Sequence, residues 1–168
     1  MNNVRTPFTA LDEQTTDNRR FLLRHLEVAA QLPTIRRVRR RALEAWDLQD
    51  PNWLLDVGSG AGEVVCDLKA LVGPAGQVIG VDNSEAAAAF AHERANAAVA
   101  RYDQEDALAL PYPDDHFDGV RCERVLQHVT DPRCRHRRDG AGAASRRPGV
   151  PDRHRLGVQA VRRDAAAE

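Results

Sequence analysis

Between residues 16 and 31, apolar side chains return every three or four positions (Phe21, Leu22, Leu26, Ala29 and Ala30), the period of a helix that buries one side. Thr16 or Asp17 offers a capping oxygen at its start, and Pro33 interrupts the run. A second helix is predicted over 34–48, with Ile35, Val38, Ala42, Leu43 and Trp46 on its apolar face. Arg36, Arg37, Arg39, Arg40 and Arg41 fall mostly elsewhere and read as a solvated face. The alternative is a lid that meets an anionic substrate. Pro51 and Asn52 close this helical region.

The pattern then changes period. Residues 53–57 form a short apolar run around Asp56 and read as a strand, followed at once by the glycine-rich turn 58–62. Residues 63–72 are helical, with Val64, Val65, Leu68, Leu71 and Val72 as the buried stripe. Gly73-Pro74-Ala75-Gly76 is a turn. A second strand over 77–81 ends at Asp82, and Ser84 caps an alanine-rich helix over 85–98. A weaker third strand lies near 99–103, a proline-rich loop over 110–115, a fourth strand over 117–122 and a short helix over 123–129. Strands alternating with helices predict an α/β fold with a parallel sheet and right-handed crossovers. After Pro132 neither period survives. Residues 133–168 hold four Val, Leu or Ile residues, too few to offset the entropy of ordering them.

Composition adds limits. The chain has 168 residues, one domain's worth, and 42% hydrophobic residues, enough for a core. No apolar run reaches the roughly 18 residues of a membrane helix, and residues 1–10 show no secretory pattern, so a cytoplasmic protein without membrane partners is expected. Cys66, Cys122 and Cys134 are widely spaced, with no metal-ligand spacing; reduced thiols and no metal are expected. The net charge of −1 hides an asymmetry, because 133–168 carries ten arginines against four acids. That stretch lacks aromatic residues and periodicity, so nucleic-acid binding has no visible basis.

The chemistry concentrates in two places. Gly58, Gly60 and Gly62 let the backbone turn sharply and approach a ligand, while the following helix aims its free N–H groups there. Asp82, closing the second strand, suits the two hydroxyls of a ribose; a plain helix-capping role is the alternative. The spacing is GxGxG, not the GxGxxG of dinucleotide sites, and Asp56 sits just before the loop. An acid there is a poor neighbour for pyrophosphate and a tolerable one for a ligand with a cationic amino group.

These segments resemble the class I S-adenosylmethionine-dependent methyltransferases. Asp56-Val57-Gly58-Ser59-Gly60-Ala61-Gly62 is similar to the family's first signature, and Val81-Asp82-Asn83-Ser84 to its acidic second. Residues 105–118 resemble the approach to its fourth strand, and 124–129 the helix after it. The likeness is greatest to the small-molecule branch that includes the ubiquinone/menaquinone methyltransferases. It implies a Rossmann-like doubly wound parallel sheet with N-terminal helices, S-adenosylmethionine as cofactor and a small-molecule acceptor. The domains it implies are a helical lead-in or lid (1–50), a partial cofactor-binding domain (51–132) and an Arg-rich tail (133–168). It further implies that Asp56, Gly58, Ser59, Gly60 and Gly62 surround the methionine part, Asp82 holds the ribose, and Asn83 borders the adenine. Asp106 and Ala107 would take the adenine's amino edge, and Cys122 with Glu123 would border the sulfonium. His128 and Glu123 are the local candidates for a catalytic base; packing against the sheet is the plainer role for His128.

The resemblance stops near residue 132. Family members continue with a helix, a Leu-Arg-Pro-Gly-Gly turn and three further strands in the order 3-2-1-4-5-7-6. Read one base later with GC-rich codons, residues 133 onward permit Ala-Ala-Val-Ile-Ala-Glu-Met-Ala-Arg-Val-Leu-Arg-Pro-Gly-Gly-Arg-Val, which contains that helix and turn. The gene's codons decide whether that frame exists. Without strands 5–7 the fourth strand is left as an edge, and marginal stability with weak or no turnover is expected. Other readings are a fragment that only binds the cofactor and a nicotinamide-dependent oxidoreductase, against which the glycine spacing speaks.

Overall fold

The computed structural model describes residues 6–44, 46, 52–94, 100–113, 116–125 and 128. Four parallel strands, β1 (Trp53–Val57), β2 (Gln77–Asp82), β3 (Arg101–Gln104) and β4 (Gly119–Cys122), lie in the order β3-β2-β1-β4. This is an α/β Rossmann-like sheet with N-terminal helices. β1 is central because its residues can be dry on both faces: Leu54, Leu55 and Asp56 are essentially unexposed. Val57 stands level with Val81 on one side and Cys122 on the other. The loops leaving these three strands therefore meet at one edge of the sheet, where ligands of open α/β sheets bind.

Side-chain alternation divides the core in two. Leu54 and Val78 point to one face and pack with Val64, Val65, Leu68 and Val72 around helix α3 (Glu63–Leu71), joined by Leu43. Leu55, Val57, Ile79, Val81 and Cys122 point to the other, against Ala107, Leu110, Tyr112 and Phe117. The stripe expected on α3 is buried except for Leu71, which is half exposed. Helix α4 (Glu85–Arg94) has Ser84 as its cap, the hydroxyl accepting from the Ala87 amide at 3.1 Å. Arg94 at its end donates to Glu27 (2.8 Å) and Glu63 (2.9 Å) and lies over the Phe90 ring. It thereby ties three helices together beside the glycine turn.

Helices α1 (Thr16–Ala30) and α2 (Pro33–Glu44) form the expected hairpin, with differences. Thr15, one residue earlier than expected, caps α1; its backbone is extended and its hydroxyl accepts from the Asn18 amide. On α2 the predicted apolar face holds at its C-terminal end, where Leu43 is buried and Trp46 packs against the same core, and fails at its start, where Ile35 and Val38 are exposed and Arg39 is buried instead. The other arginines of the group, Arg36, Arg37, Arg40 and Arg41, are solvated as expected. β4 begins two residues later than predicted, and no helix starts at 123, because Arg124 takes a left-handed φ of 64°. Residues 126, 127 and 129, the rest of that predicted helix, lie outside the described residues, as do 133–168.

The lead-in is more than irregular chain. A single 3-10 turn (Leu11–Glu13) drops Leu11 into a small core with Leu22, Leu23, Ala61 and Ala87. Next to it, the Asp12 carboxylate accepts from the Ser84 hydroxyl (2.7 Å) and from the Glu85 and Ala86 amides (3.0 Å each) at the start of α4. Partial burial pulls the Asp12 pKa up. The hydrogen bonds from Ser84, Ala86 and Glu85, helped by Arg19, outweigh it and hold the group below the usual value. An acid with a depressed folded pKa stabilises above its unfolded pKa, near 3.8, and loses that effect as pH falls through the folded value. Asp12→Ala should cost about 1 kcal/mol at neutral pH, the usual value of a helix cap. The difference from wild type in thermal melts should shrink below about pH 4; a difference independent of pH would refute the assignment.

Candidate active site

At the shared strand edge lies a cavity of about 470 Å³, within the range of small-molecule sites. Its floor is the turn after β1. Gly58, Gly60 and Gly62 have φ of 71°, 55° and 86°, conformations that side chains other than glycine's adopt at a cost. The turn is fastened to β2: the Gly58 and Ser59 amides donate to the Val81 carbonyl at 2.7 and 2.9 Å. The Gly60 amide donates to Asp82 Oδ2 at 2.9 Å. Asp82 Oδ1 accepts from the Ser84 amide at 3.1 Å. Asp82 thus binds the two loops together as well as facing the cavity. Burial raises its pKa, the two amides oppose that, and the neighbouring charge of Asp12 adds to the rise.

The other expected residues divide. Asp56, Gly58, Ser59, Gly60, Asp82, Asn83, Asp106, Ala107, Glu123 and His128 all line this one cavity. Asp106 is exposed there, its Oδ1 accepting from the Leu108 amide at 2.9 Å. Gly62 is not on the wall. A Cβ there would fall 2.7 Å from the Tyr102 hydroxyl, so its role is to let β3 pack against the turn. Cys122 is also off the wall. Alternation along β4 sends Arg121 to the cavity side and Cys122 into the opposite core. The Ser59 side chain leans toward Gly80, where an added Cβ would stand 2.9 Å from its Cβ and Oγ. Neither Cys66 nor Cys122 is disulfide-bonded.

Sequence reasoning missed the charges that surround Asp56. Asp56 is fully buried and accepts from Arg121 Nη1 at 2.8 Å. Arg121 also pairs with Glu123, which reaches Arg124 at 3.7 Å. Burial lifts the Asp56 pKa, while Arg121 first and Arg39 next pull against it. Asp56 Oδ2 has no partner. The only available signal was register: two strands that pair in parallel put Asp56 level with Arg121. His128 lines the cavity, and burial, then Arg124, lowers its pKa. The lead-in closes one side of the cavity through Thr6, Phe8, Thr9 and Leu11. Among the described residues no cluster of metal-ligating side chains occurs, and no helix is long and apolar enough to cross a membrane.

A cavity at the tips of parallel strands, floored by a left-handed glycine turn and flanked by acids closing β2 and following β3, is placed as a ligand site of a Rossmann-like fold is. Residues 55–135 match the sequence profile of the Methyltransferase domain family. Over 102 residues it is 37% identical to the 2-phytyl-1,4-naphtoquinone methyltransferase of Synechococcus elongatus, covering 58% of this chain and 44% of that one. A ubiquinone/menaquinone biosynthesis C-methyltransferase of Pseudomonas entomophila is 33% identical over 96 residues, 55% of this chain and 38% of that one. The fold is similar to the crystal structure of a SAM-dependent methyltransferase from Aquifex aeolicus. The TM-score is 0.51 and the identity 25%, covering 56% and 52% of the two chains. The match spans less than half the length of either of these two curated relatives.

Proposed function

We propose that this chain binds S-adenosylmethionine in the cavity and transfers its methyl group to a small-molecule acceptor. One observation carries the reading: ten residues expected to serve the cofactor or the reaction converge on a single cavity of suitable volume. The residues fit such a guest. Asp82 would accept from the ribose hydroxyls, and Asn83, Asp106 and Ala107, which line the same cavity, would border the adenine. The buried, half-satisfied carboxylate of Asp56 is complementary to an ammonium group.

The cofactor supplies a methyl group already activated on a positive sulfur, so the protein's task is to align, enclose and desolvate. The glycine turn gives close approach without side chains in the way. Phe8 and Leu11 from the lead-in and Val125 from beyond β4 exclude water. Glu123 is engaged by two arginines, which fits a positioning role better than proton transfer. His128 is the better base. Its lowered pKa keeps the imidazole neutral at pH 7, ready to accept a proton from an acceptor that carries one.

Titration calorimetry with S-adenosylhomocysteine tests the reading. Saturable one-to-one binding, without binding of NADH, is expected; no heat with the adenosyl compound would refute it. If His128 is the base, His128→Ala should lower turnover about 100-fold or more with little change in that affinity. Wild-type turnover should fall as pH drops through a value below the ordinary histidine pKa. A profile that stays flat to pH 5 would remove His128 from the reaction. The aligned relatives named for quinone substrates support a flat, apolar acceptor, and the apolar residues of the lead-in suit one.

A further inference from the structure

The helical hairpin carries most of the large apolar side chains left uncovered. Five of the seven exposed among the described residues lie on it: Phe21 (68% exposed), Val28 (64%), Leu32 (52%), Ile35 (38%) and Val38 (53%). Phe21, Val28 and Leu32 are spaced by seven and four residues, so they share one side of α1 and of the turn that prolongs it. The Leu32 amide, donating to the Ala29 carbonyl at 3.2 Å, keeps that turn wound. Ile35 and Val38, three apart, share one side of α2. The inner side of the hairpin has its own partners: Leu22 and Leu23 pack with Leu11, and Leu43 packs with the α3 core. The outer stripe is surplus to that packing, and exposed apolar patches of this kind mark docking surfaces.

Charge says what docks there. Residues 16–44 hold eight arginines against three acids, net +5, whereas 45–132 hold five basic side chains against sixteen acids, net −11. Arg20, Arg24, Arg36, Arg37, Arg40 and Arg41 are all exposed. Arg40 stands 3.5 Å from Glu44 on the same helix, and none of the other five pairs with an acid among the described residues. Residues three or four apart are neighbours on a helix. Arg24, three after Phe21 and four before Val28, therefore sits beside both; Arg41 follows Val38 by three, and Arg37 precedes Arg41 by four. Cations interleaved with apolar side chains suit a partner that is apolar within and anionic at its surface. Other occupants fit less well. A second copy, face to face, would set +5 against +5. The stretch 133–168, with ten arginines against four acids, has the same sign. A nucleic acid would take the arginines and leave the apolar stripe in water.

We propose that the outer face of the hairpin is a docking surface for a lipid bilayer carrying anionic headgroups. Phe21, Val28 and Leu32 enter the acyl boundary, Arg24, Arg37 and Arg41 lie among the headgroups, and the acidic body is repelled from the surface, which orients the protein. Lying on a bilayer needs no spanning helix, so the expectation of a chain without membrane partners is narrowed to spanning. The docking stands without the proposed chemistry. Leu26 and Ala30, on the inner side of α1, line the active-site cavity, which sets that cavity one helix diameter, about 10 Å, from the lipid.

Co-sedimentation of the full chain with vesicles tests the proposal, using phosphatidylcholine alone and an equal mixture of phosphatidylcholine and phosphatidylserine. Binding to the mixture, little to phosphatidylcholine alone, and weakening as salt rises are expected. Arg24→Gln with Arg37→Gln and Arg41→Gln should weaken binding about 100-fold, at about fivefold for each arginine near an anionic surface. Phe21→Ser with Val28→Ser should weaken it at least about 10-fold. Thermal melts that overlay wild type check the fold; if a set shifts its melt, the single changes Arg24→Gln and Phe21→Ser replace it, each with a proportionate loss. Binding that both sets retain belongs to the basic stretch 133–168 and overturns the proposal. So does a loss confined to one set, equal binding to the two vesicles, or binding to neither, including the case where a single-stranded RNA oligomer binds instead. Sedimentation equilibrium without lipid covers the remaining occupant: a dimer that Phe21→Ser with Val28→Ser dissociates gives the face to a second copy and overturns the proposal too.

Discussion

Asp82→Ala is expected to weaken S-adenosylhomocysteine by at least about 100-fold, because one carboxylate performs two tasks. Toward the ligand it would accept from two ribose hydroxyls, each worth about 1.5 kcal/mol or more as a hydrogen bond to a charged group. Toward the protein it accepts the Gly60 and Ser84 amides and so fixes the glycine turn against the start of α4. Alanine removes both. The two amides would have to find water, and the turn, already in left-handed conformations, loses the strap that holds it. Asp82→Asn keeps one acceptor oxygen and should fall between alanine and wild type. The measurement is a calorimetric titration paired with a thermal melt. A titration of Asp82→Ala that overlays wild type would remove the ribose role and, with it, the orientation assigned to the cofactor.

Arg121→Met should have the largest effect on stability. It strips the partner from a carboxylate that is fully buried. Breaking a buried pair in this way typically costs about 3–5 kcal/mol, against a total of about 5–15 kcal/mol for a domain. The cost should depend on pH in a definite sense. Asp56 already has a raised pKa, from burial, and Arg121 is the largest influence opposing that rise. Its removal lifts the folded pKa further. An acid whose folded pKa exceeds its unfolded value takes up a proton on folding, so the folded state gains as pH falls and loses as pH rises through that pKa. Urea unfolding should therefore show Arg121→Met closer to wild type at pH 5 than at pH 8. The double change Asp56→Asn with Arg121→Met should regain part of the loss, as neutral side chains need no counter-charge. Equal midpoints for wild type and Arg121→Met at pH 8 would mean that the pair contributes nothing.

Much of the frame was legible in the chain. β1, α3, β2 and the start of α4 lie within a residue or two of where periodicity puts them, because each is short, strongly patterned and bounded by glycine, proline or a capping side chain. The glycine turn and Asp82 were legible for the same reason: a left-handed turn can be built cheaply from few residue types, and an acid closing a strand stands out. The helix predicted over 123–129 failed at its start. Its composition suits a helix, but Arg124 is held in a left-handed conformation at the cavity rim, where tertiary contacts outweigh propensity.

What the amino-acid order determined by itself, then, was the succession of strands and helices, the place of the glycine turn and the acids around it. These rest on forces acting within a few residues: backbone freedom at glycine, capping and the alternation of apolar side chains. Tertiary structure alone decided which face α2 buries, that Arg121 lies level with Asp56, and that the lead-in returns to clamp α4 through Asp12 across more than seventy residues. It also turned Cys122 away from the cavity and Arg39 toward it. Such choices depend on the energy of a whole assembly, in which a buried charge is tolerable only because of what stands opposite it, and no local pattern records that partner.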